Sequence, residues 1–221
     1  MKKKKAVIAA LAAMTVLMAA GCAKSGPAQV WDAGENSIYV TKTMEVESAM
    51  IYTSEKTNDL YTQEGLSAFA KEAAADYNAS KGAAAESENA EGAAKLPVAL
   101  KSCTLEGQTG TLVFAYGTPE DFTQFAQEYG DNTHSVTSLS VGAMTEIASQ
   151  AGFGEAGFLT AAGKEADTAE VTKQQEDGVI AIEGAATVYT EGKIKYVTDG
   201  CTVRDEHCVA TPEGTSYIVF Q

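Results

Sequence analysis

Residues 98–130 read VALKSCTLEGQTGTLVFAYGTPEDFTQFAQEYG. Val98 to Leu105 and Thr111 to Tyr116 are short runs rich in apolar and β-branched residues, divided by Gly107 to Gly110, and such a pattern predicts a β-hairpin. The period then changes. Thr118-Pro119-Glu120-Asp121 opens a helix: the threonine hydroxyl caps it, proline takes the first helical position where its missing N–H costs nothing, and two acids face the positive end of the dipole. Phe122, Phe125, Ala126 and Tyr129 follow at helical spacing and define a buried face, and Gly130 stops it.

The same order occurs upstream. Ser37 to Lys42 and Val46 to Thr53 alternate as a hairpin. Thr62 caps a helix, Tyr61 staples onto Leu66, and Leu66, Phe69, Ala70, Ala73 and Tyr77 predict one buried helical face. Residues 79–95, almost all alanine, glycine, serine and glutamate, read as a low-complexity loop with little to pack. Downstream, a short strand over Val136 to Val141 and a short helix over Met144 to Gln150 precede six short strand patterns: Val179–Ile182, Ala186–Tyr189, Ile194–Val197, Cys201–Val203, Cys208–Ala210 and Tyr217–Phe220. Gly184, Gly192, Gly200 and Gly214 separate them as turn residues of an antiparallel meander. The sequence therefore predicts an α+β fold of antiparallel sheets with two principal amphipathic helices. Two strand-strand-helix units are followed by a C-terminal β-meander, in a single domain over 37–221.

The chain begins with Lys2 to Lys5, then a run of mostly apolar residues, then Ala19-Ala20-Gly21-Cys22. A basic head, an apolar stretch and small residues before a cut make a secretory signal peptide over 1–21. Ala19-Ala20-Gly21-Cys22 resembles the bacterial lipobox, which implies a diacylglycerol on the Cys22 sulfur, cleavage before that cysteine, and palmitate-type acyl chains as the membrane anchor. The apolar run is short of the roughly twenty residues of a permanent span. Residues 22–36 are small and polar and predict a flexible tether; Trp31 within it either folds back onto the domain or waits for a partner. The whole arrangement also resembles lipoproteins of clostridial-type anaerobic Gram-positive bacteria, in Ser37-Ile38-Tyr39-Val40, Asp76-Tyr77-Asn78 and Lys193-Ile194-Lys195-Tyr196-Val197. That resemblance implies an extracytoplasmic, lipid-anchored location and this architecture, but no activity.

Cleavage at Cys22 removes four lysines and no acids, which takes the net charge from −14 to −18. So acidic a protein repels phosphate backbones, and no nucleic-acid partner is expected.

Three cysteines remain besides Cys22. Cys201 and Cys208 fall on neighbouring predicted strands and suit a cross-strand disulfide, or in an anaerobic setting stay thiols beside Cys103. His207 adjoins Cys208, but neighbours on a strand point to opposite faces, and the paired spacings of structural zinc sites are missing, so no metal is expected. No nucleophile elbow, Walker string or dinucleotide fingerprint is present, so neither catalytic residues nor a cofactor is assigned. Tyr189, Lys195 and Tyr196 form the best candidate partner-binding face of the meander. The resulting expectation is a non-catalytic binding or assembly module at the cell envelope, with a protein or cell-wall partner. The alternatives are a solute-binding lipoprotein serving a transporter and a thiol or metal enzyme built on Cys103, Cys201 and His207.

Overall fold

The computed structural model describes Trp31 and residues 33–53, 62–129 and 134–221. The signal peptide, Cys22, most of the tether, the Tyr61 staple and the Gly130 stop lie outside the described residues. The fold is mixed α+β with two antiparallel-rich sheets. Its elements run β1 (Ser37–Val40), β2 (Val46–Thr53), α1 (Gln63–Ser80), β3 (Val98–Glu106), β4 (Thr109–Tyr116), α2 (Pro119–Glu128), β5 (Ser138–Ala143) and α3 (Met144–Ile147). There follow β6 (Phe158–Thr160), β7 (Glu165–Ala166), α4 (Thr168–Val171), β8 (Gly178–Glu183), β9 (Ala186–Thr190), β10 (Ile194–Thr198), β11 (Thr202–Val203), β12 (Cys208–Thr211) and β13 (Thr215–Phe220).

Both long helices start where their caps dictate. Thr62 Oγ1 accepts from Gly65 N at 3.0 Å, and Thr118 Oγ1 accepts from Asp121 N at 3.1 Å with Pro119 opening the helix. On α1 the inward stripe is Leu66, Ala70, Ala73, Ala74 and Tyr77. Phe69, expected on that face, is instead 60% exposed. At 100° per residue it sits about 85° from the centre of the stripe, beyond its rim.

The larger sheet has the order β11-β12-β9-β1-β2-β4-β3 and the smaller β5-β8-β13-β10-β6-β7. Among the described residues every pairing is antiparallel except β1 with β9, where Tyr39 lies beside Tyr189. The main core fills the space between the sheets: Ile38, Val40, Leu112 and Phe114 from the larger, Ile180, Ile182, Ile218 and Phe220 from the smaller, and Tyr77, Phe122 and Phe125 from the helices. A second core of Met144, Phe153, Phe158, Val171, Tyr217 and Val219 lies on the outer face of the smaller sheet.

The C-terminal strands do not form one meander. β8, β10 and β13 belong to the smaller sheet, and β9, β11 and β12 to the larger. Each of Gly184, Gly192, Gly200 and Gly214, expected as hairpin turns, marks a passage of the chain from one sheet to the other. At Gly184 (φ +119°) an added Cβ would stand 2.3 Å from Ser135 O, and at Gly192 it would stand 2.5 Å from Gln221 O. These two crossings are therefore tight enough to bring backbone against backbone, which only glycine allows.

The low-complexity loop is tied down at three points. The Asn78 amide, fully buried, donates to Val98 O and Glu86 O and accepts from Val98 N, Leu100 N donates to Ser87 O, and Leu96 N donates to Asn89 Oδ1. The expected tether is also shorter than 22–36, because Trp31 and residues 33–36 lie on the outer face of the larger sheet. Trp31 packs with Ala49 and Val113, its indole N–H donates to Ser37 Oγ at 2.9 Å, and Asn36 Oδ1 accepts from Ile51 N.

Candidate functional site

The sequence candidates do not converge. Cys22 lies outside the described residues. Cys201 and Cys208 are separate thiols, as is Cys103. The reason is strand parity: Cys201 packs with the main core, inside the larger sheet, whereas Cys208 pairs with Tyr189 on its outer face. Opposite faces of one sheet hold side chains apart, so no Cys201–Cys208 disulfide closes the hairpin. Cys103 sits on β3 and Cys201 precedes β11, the two edges of a seven-stranded sheet. Six spacings of about 4.8 Å put them some 29 Å apart, which removes the thiol constellation. His207 Nδ1 lies 2.9 Å from Thr190 O and 3.0 Å from Gly192 O. Carbonyls only accept, so Nδ1 carries the proton and the ring serves as a tie across a sheet crossing. Among the described residues no group of three or more His, Cys, Asp or Glu is placed to hold a metal ion.

The expected binding face also divides. Tyr189 stands on β9 in the larger sheet, and Lys195 and Tyr196 stand on β10 in the smaller. Tyr189 donates to Glu35 Oε1 at 2.7 Å, and Arg204 Nη1 reaches the other oxygen of the same carboxylate at 2.8 Å. Burial first, and then this bond to Glu35, pushes the Tyr189 phenol well above its ordinary range. The Lys195 ammonium is 2.8 Å from Asp177 Oδ2 and 3.0 Å from Gln174 Oε1. The Asp177 oxygen makes no well-angled hydrogen bond, so the contact is coulombic. Tyr196 packs against the second core.

Two clefts remain. The first, about 490 Å³, lies over β2, β4 and β3. Glu47, Ala115 and Ala99 share one row across the three strands, and Lys101 reaches over the small alanine floor to Glu47 at 2.7 Å. Lys95 likewise pairs with Glu45, whose carboxyl is held below its usual value chiefly by that hydrogen bond. The charges that line this cleft are already answered within the protein.

The second cleft, about 730 Å³, is a groove between α2 and the edge strand β5, closed at one end by α3. Thr118, Glu120, Thr123, Gln124 and Gln127 form the helix wall, Thr137 to Val141 the strand wall, and Glu146, Ile147 and Gln150 the end. Lys81 donates to Gln124 Oε1, which turns the amide so that Nε2 donates to Glu120 Oε1 at 2.5 Å. Gln127, Ser138, Ser140, Glu146 and Gln150 have side chains that make no hydrogen bond or ion pair among the described residues, although all five face one groove. Sequence reasoning missed them because hydroxyl and amide residues on three elements look like ordinary surface. One signal was available: SLSVGA over 138–143 is an edge strand without the charge or proline that usually guards one.

Comparison of the chain with protein-family models, curated proteins and solved structures finds no match.

Proposed function

We propose that the mature chain is a lipoprotein anchored on the extracytoplasmic side of the cell membrane by acyl chains on Cys22, acting as a non-catalytic binding or assembly module of the envelope. The observation that carries the binding role is the α2–β5 groove: a concave site in which the side chains of Gln127, Ser138, Ser140, Glu146 and Gln150 have no partner among the described residues. Ligand sites are typically clefts of 300–1,000 Å³ with a few oriented polar groups, and this one is about 730 Å³. The order β1-β2-α1, β3-β4-α2 supports reading the N-terminal half as two strand-strand-helix units, the second of which sets α2 beside β5. The spread of Cys103, Cys201 and His207 over separate edges and faces speaks against an envelope thiol or metal enzyme.

The test has two arms. An alkyne analogue of palmitate should label the wild-type chain and leave the Cys22→Ser variant unlabelled; equal labelling would remove the anchor. A photo-crosslinking amino acid at Gln127 should capture an envelope component that the same probe at Glu165, on β7 of the smaller sheet, does not. A solute-binding role beside a transporter is the second reading, favoured by the separate 490 Å³ cleft, which is of the size for a solute like an amino acid. A native mass spectrum with a bound small molecule, lost on Ala115→Trp, would select it.

A further inference from the structure

We propose that the cleft over β2, β4 and β3 binds a zwitterionic α-amino acid, its ammonium on Glu47 and its carboxylate on Lys95, Lys101 and Asn89. This rests on the solute-binding reading above and names the solute's chemistry. The depression exists because Ala99 and Ala115 sit side by side on adjacent strands, where larger side chains would fill the outer face of the sheet. Its far wall is the 81–97 loop, whose ties through Asn78, Ser87 and Asn89 hold Asn89 and Leu96 at the cleft. The register of β3 against β4 shifts between Leu100 and Ser102, so Lys101 is the extra residue of a β-bulge, a device that re-aims a side chain. Here it sends the ammonium back across the alanines to Glu47.

Each of these polar groups has bonding capacity to spare. Glu47 is almost buried, and among the described residues only its Oε1 is bonded, to Lys101. Asn89 Oδ1 accepts from Leu96 N at 2.9 Å, which fixes the amide and leaves its Nδ2 donors without an acceptor among the described residues. Each ammonium has three donors and uses one. The Lys95 and Lys101 side chains are 62% and 49% exposed, so their pairs with Glu45 and Glu47 exchange at little cost for a ligand in the same cleft. Charge then selects the occupant. A carboxylate alone would draw the lysines away and leave Glu47 nearly buried without a cation, and an amine alone would displace the lysines and leave them unanswered. A molecule that carries both signs leaves every charge paired, and Leu96 with the alanine floor suits a small apolar side chain.

The experiment uses the chain from residue 22 with Cys22→Ser and, as the probe, a mixture of the common protein amino acids, read by saturation-transfer NMR and then by calorimetry on each one that responds. A small apolar amino acid should bind, and its N-acetyl and C-amide forms should each weaken about tenfold, as should the parent amino acid against Glu47→Gln. Asn89→Asp keeps the acceptor that Leu96 N needs and replaces the free donor with an acceptor, so it should weaken binding while the circular dichroism melt stays as in the parent chain. Ala115→Trp, which fills the floor, should abolish binding. Absence of any responding amino acid, an affinity indifferent to N-acetylation or amidation, or binding unchanged by both Asn89→Asp and Ala115→Trp would each overturn the proposal. A different bound solute that is lost on Ala115→Trp would keep the solute-binding reading and reject the amino acid, and the crosslink from Gln127 reads independently of both.

Discussion

Trp31 lies flat on Tyr39, with ring centroids 4.8 Å apart and planes inclined by 13°. The contact fastens the segment that leads from the N-terminus to the outer face of the larger sheet, next to the single parallel joint, β1 with β9. It also fixes where a tether would leave the domain. Nine peptide steps separate Cys22 from Trp31, a reach of about 32 Å at most.

The stack, not the neighbouring ion pair, holds this strap. Glu35 and Arg204 are 43% and 44% exposed, and a pair that open contributes at most about 1 kcal/mol. Trp31 is 8% exposed, and truncating a buried indole costs about 3 kcal/mol. Urea unfolding followed by circular dichroism should therefore place Trp31→Ala well below Glu35→Gln in stability. Equal losses would assign the strap to its charges.

The thiols make a second prediction. Cys208 is buried, and Cys103 and Cys201 are partly exposed. Burial pushes the Cys208 and Cys103 thiols above their ordinary value, which slows their alkylation further. With Cys22→Ser and no reductant, the intact mass should match three free thiols, and iodoacetamide should modify Cys201 first and Cys208 last. A mass two hydrogens lower would restore the Cys201–Cys208 bond.

Alkaline pH should unfold the domain through its tyrosines. Burial, followed by the Asp121 carboxylate for Tyr77 and the Glu35 hydrogen bond for Tyr189, raises both phenols far above the ordinary value of 10.0. The unfolded chain ionises at that ordinary value and the folded chain does not. The stability these groups contribute is thus fully present below pH 10 and is lost as the pH climbs towards the raised folded values. Ultraviolet titration should show Tyr77→Phe and Tyr189→Phe removing only late-ionising signal. Loss of an early-ionising phenol in either variant would contradict the burial argument.

Lys195, expected at a binding face, is a structural cation. Asp177 is almost fully buried and Lys195 is its ion-pair partner. Removing one member of a buried pair costs about 3–5 kcal/mol, and removing both costs far less. Lys195→Met should destabilise by about 3 kcal/mol and Asp177→Asn/Lys195→Met by less than half of that. A double variant as unstable as the single one would show that the lysine acts through its packing alone.

Local structure was legible because it is local. Thr62 and Thr118 announce helices by a hydroxyl and three following amides, and the 98–116 hairpin is read from two runs and a glycine turn. Which sheet a strand joins is not written locally. Alternation along β9 and β10 tells which side chains face inward, but Val188 and Val197 look alike in sequence and belong to different sheets. The β1–β9 joint links residues 150 apart, Ile38 with Val188, and no neighbouring residue encodes it. Cys201 and Cys208 are a different case: β11 and β12 do form one hairpin, but strand parity puts the two thiols on its opposite faces. The groove was hidden as the β1–β9 joint was, since α2, β5 and α3 meet only after both sheets have formed.

Gly184 offers the sharpest test of the two-sheet crossing. Its φ of +119° is outside what an L side chain adopts with ease, and a methyl group there would meet Ser135 O at 2.3 Å. Gly214 also has positive φ, +91°, but an added Cβ meets nothing within 4 Å. Left-handed backbone alone costs a non-glycine residue about 1–2 kcal/mol, so Gly214→Ala should lose about that much. Gly184→Ala adds a clash between backbone atoms that no side-chain rotation relieves, and should lose more than 3 kcal/mol, on the scale of severe overpacking. Chemical denaturation of both variants decides the point. If Gly184→Ala is no worse than Gly214→Ala, the chain turns at 184 with room to spare, as in a simple hairpin, and the tight passage between sheets would be wrong.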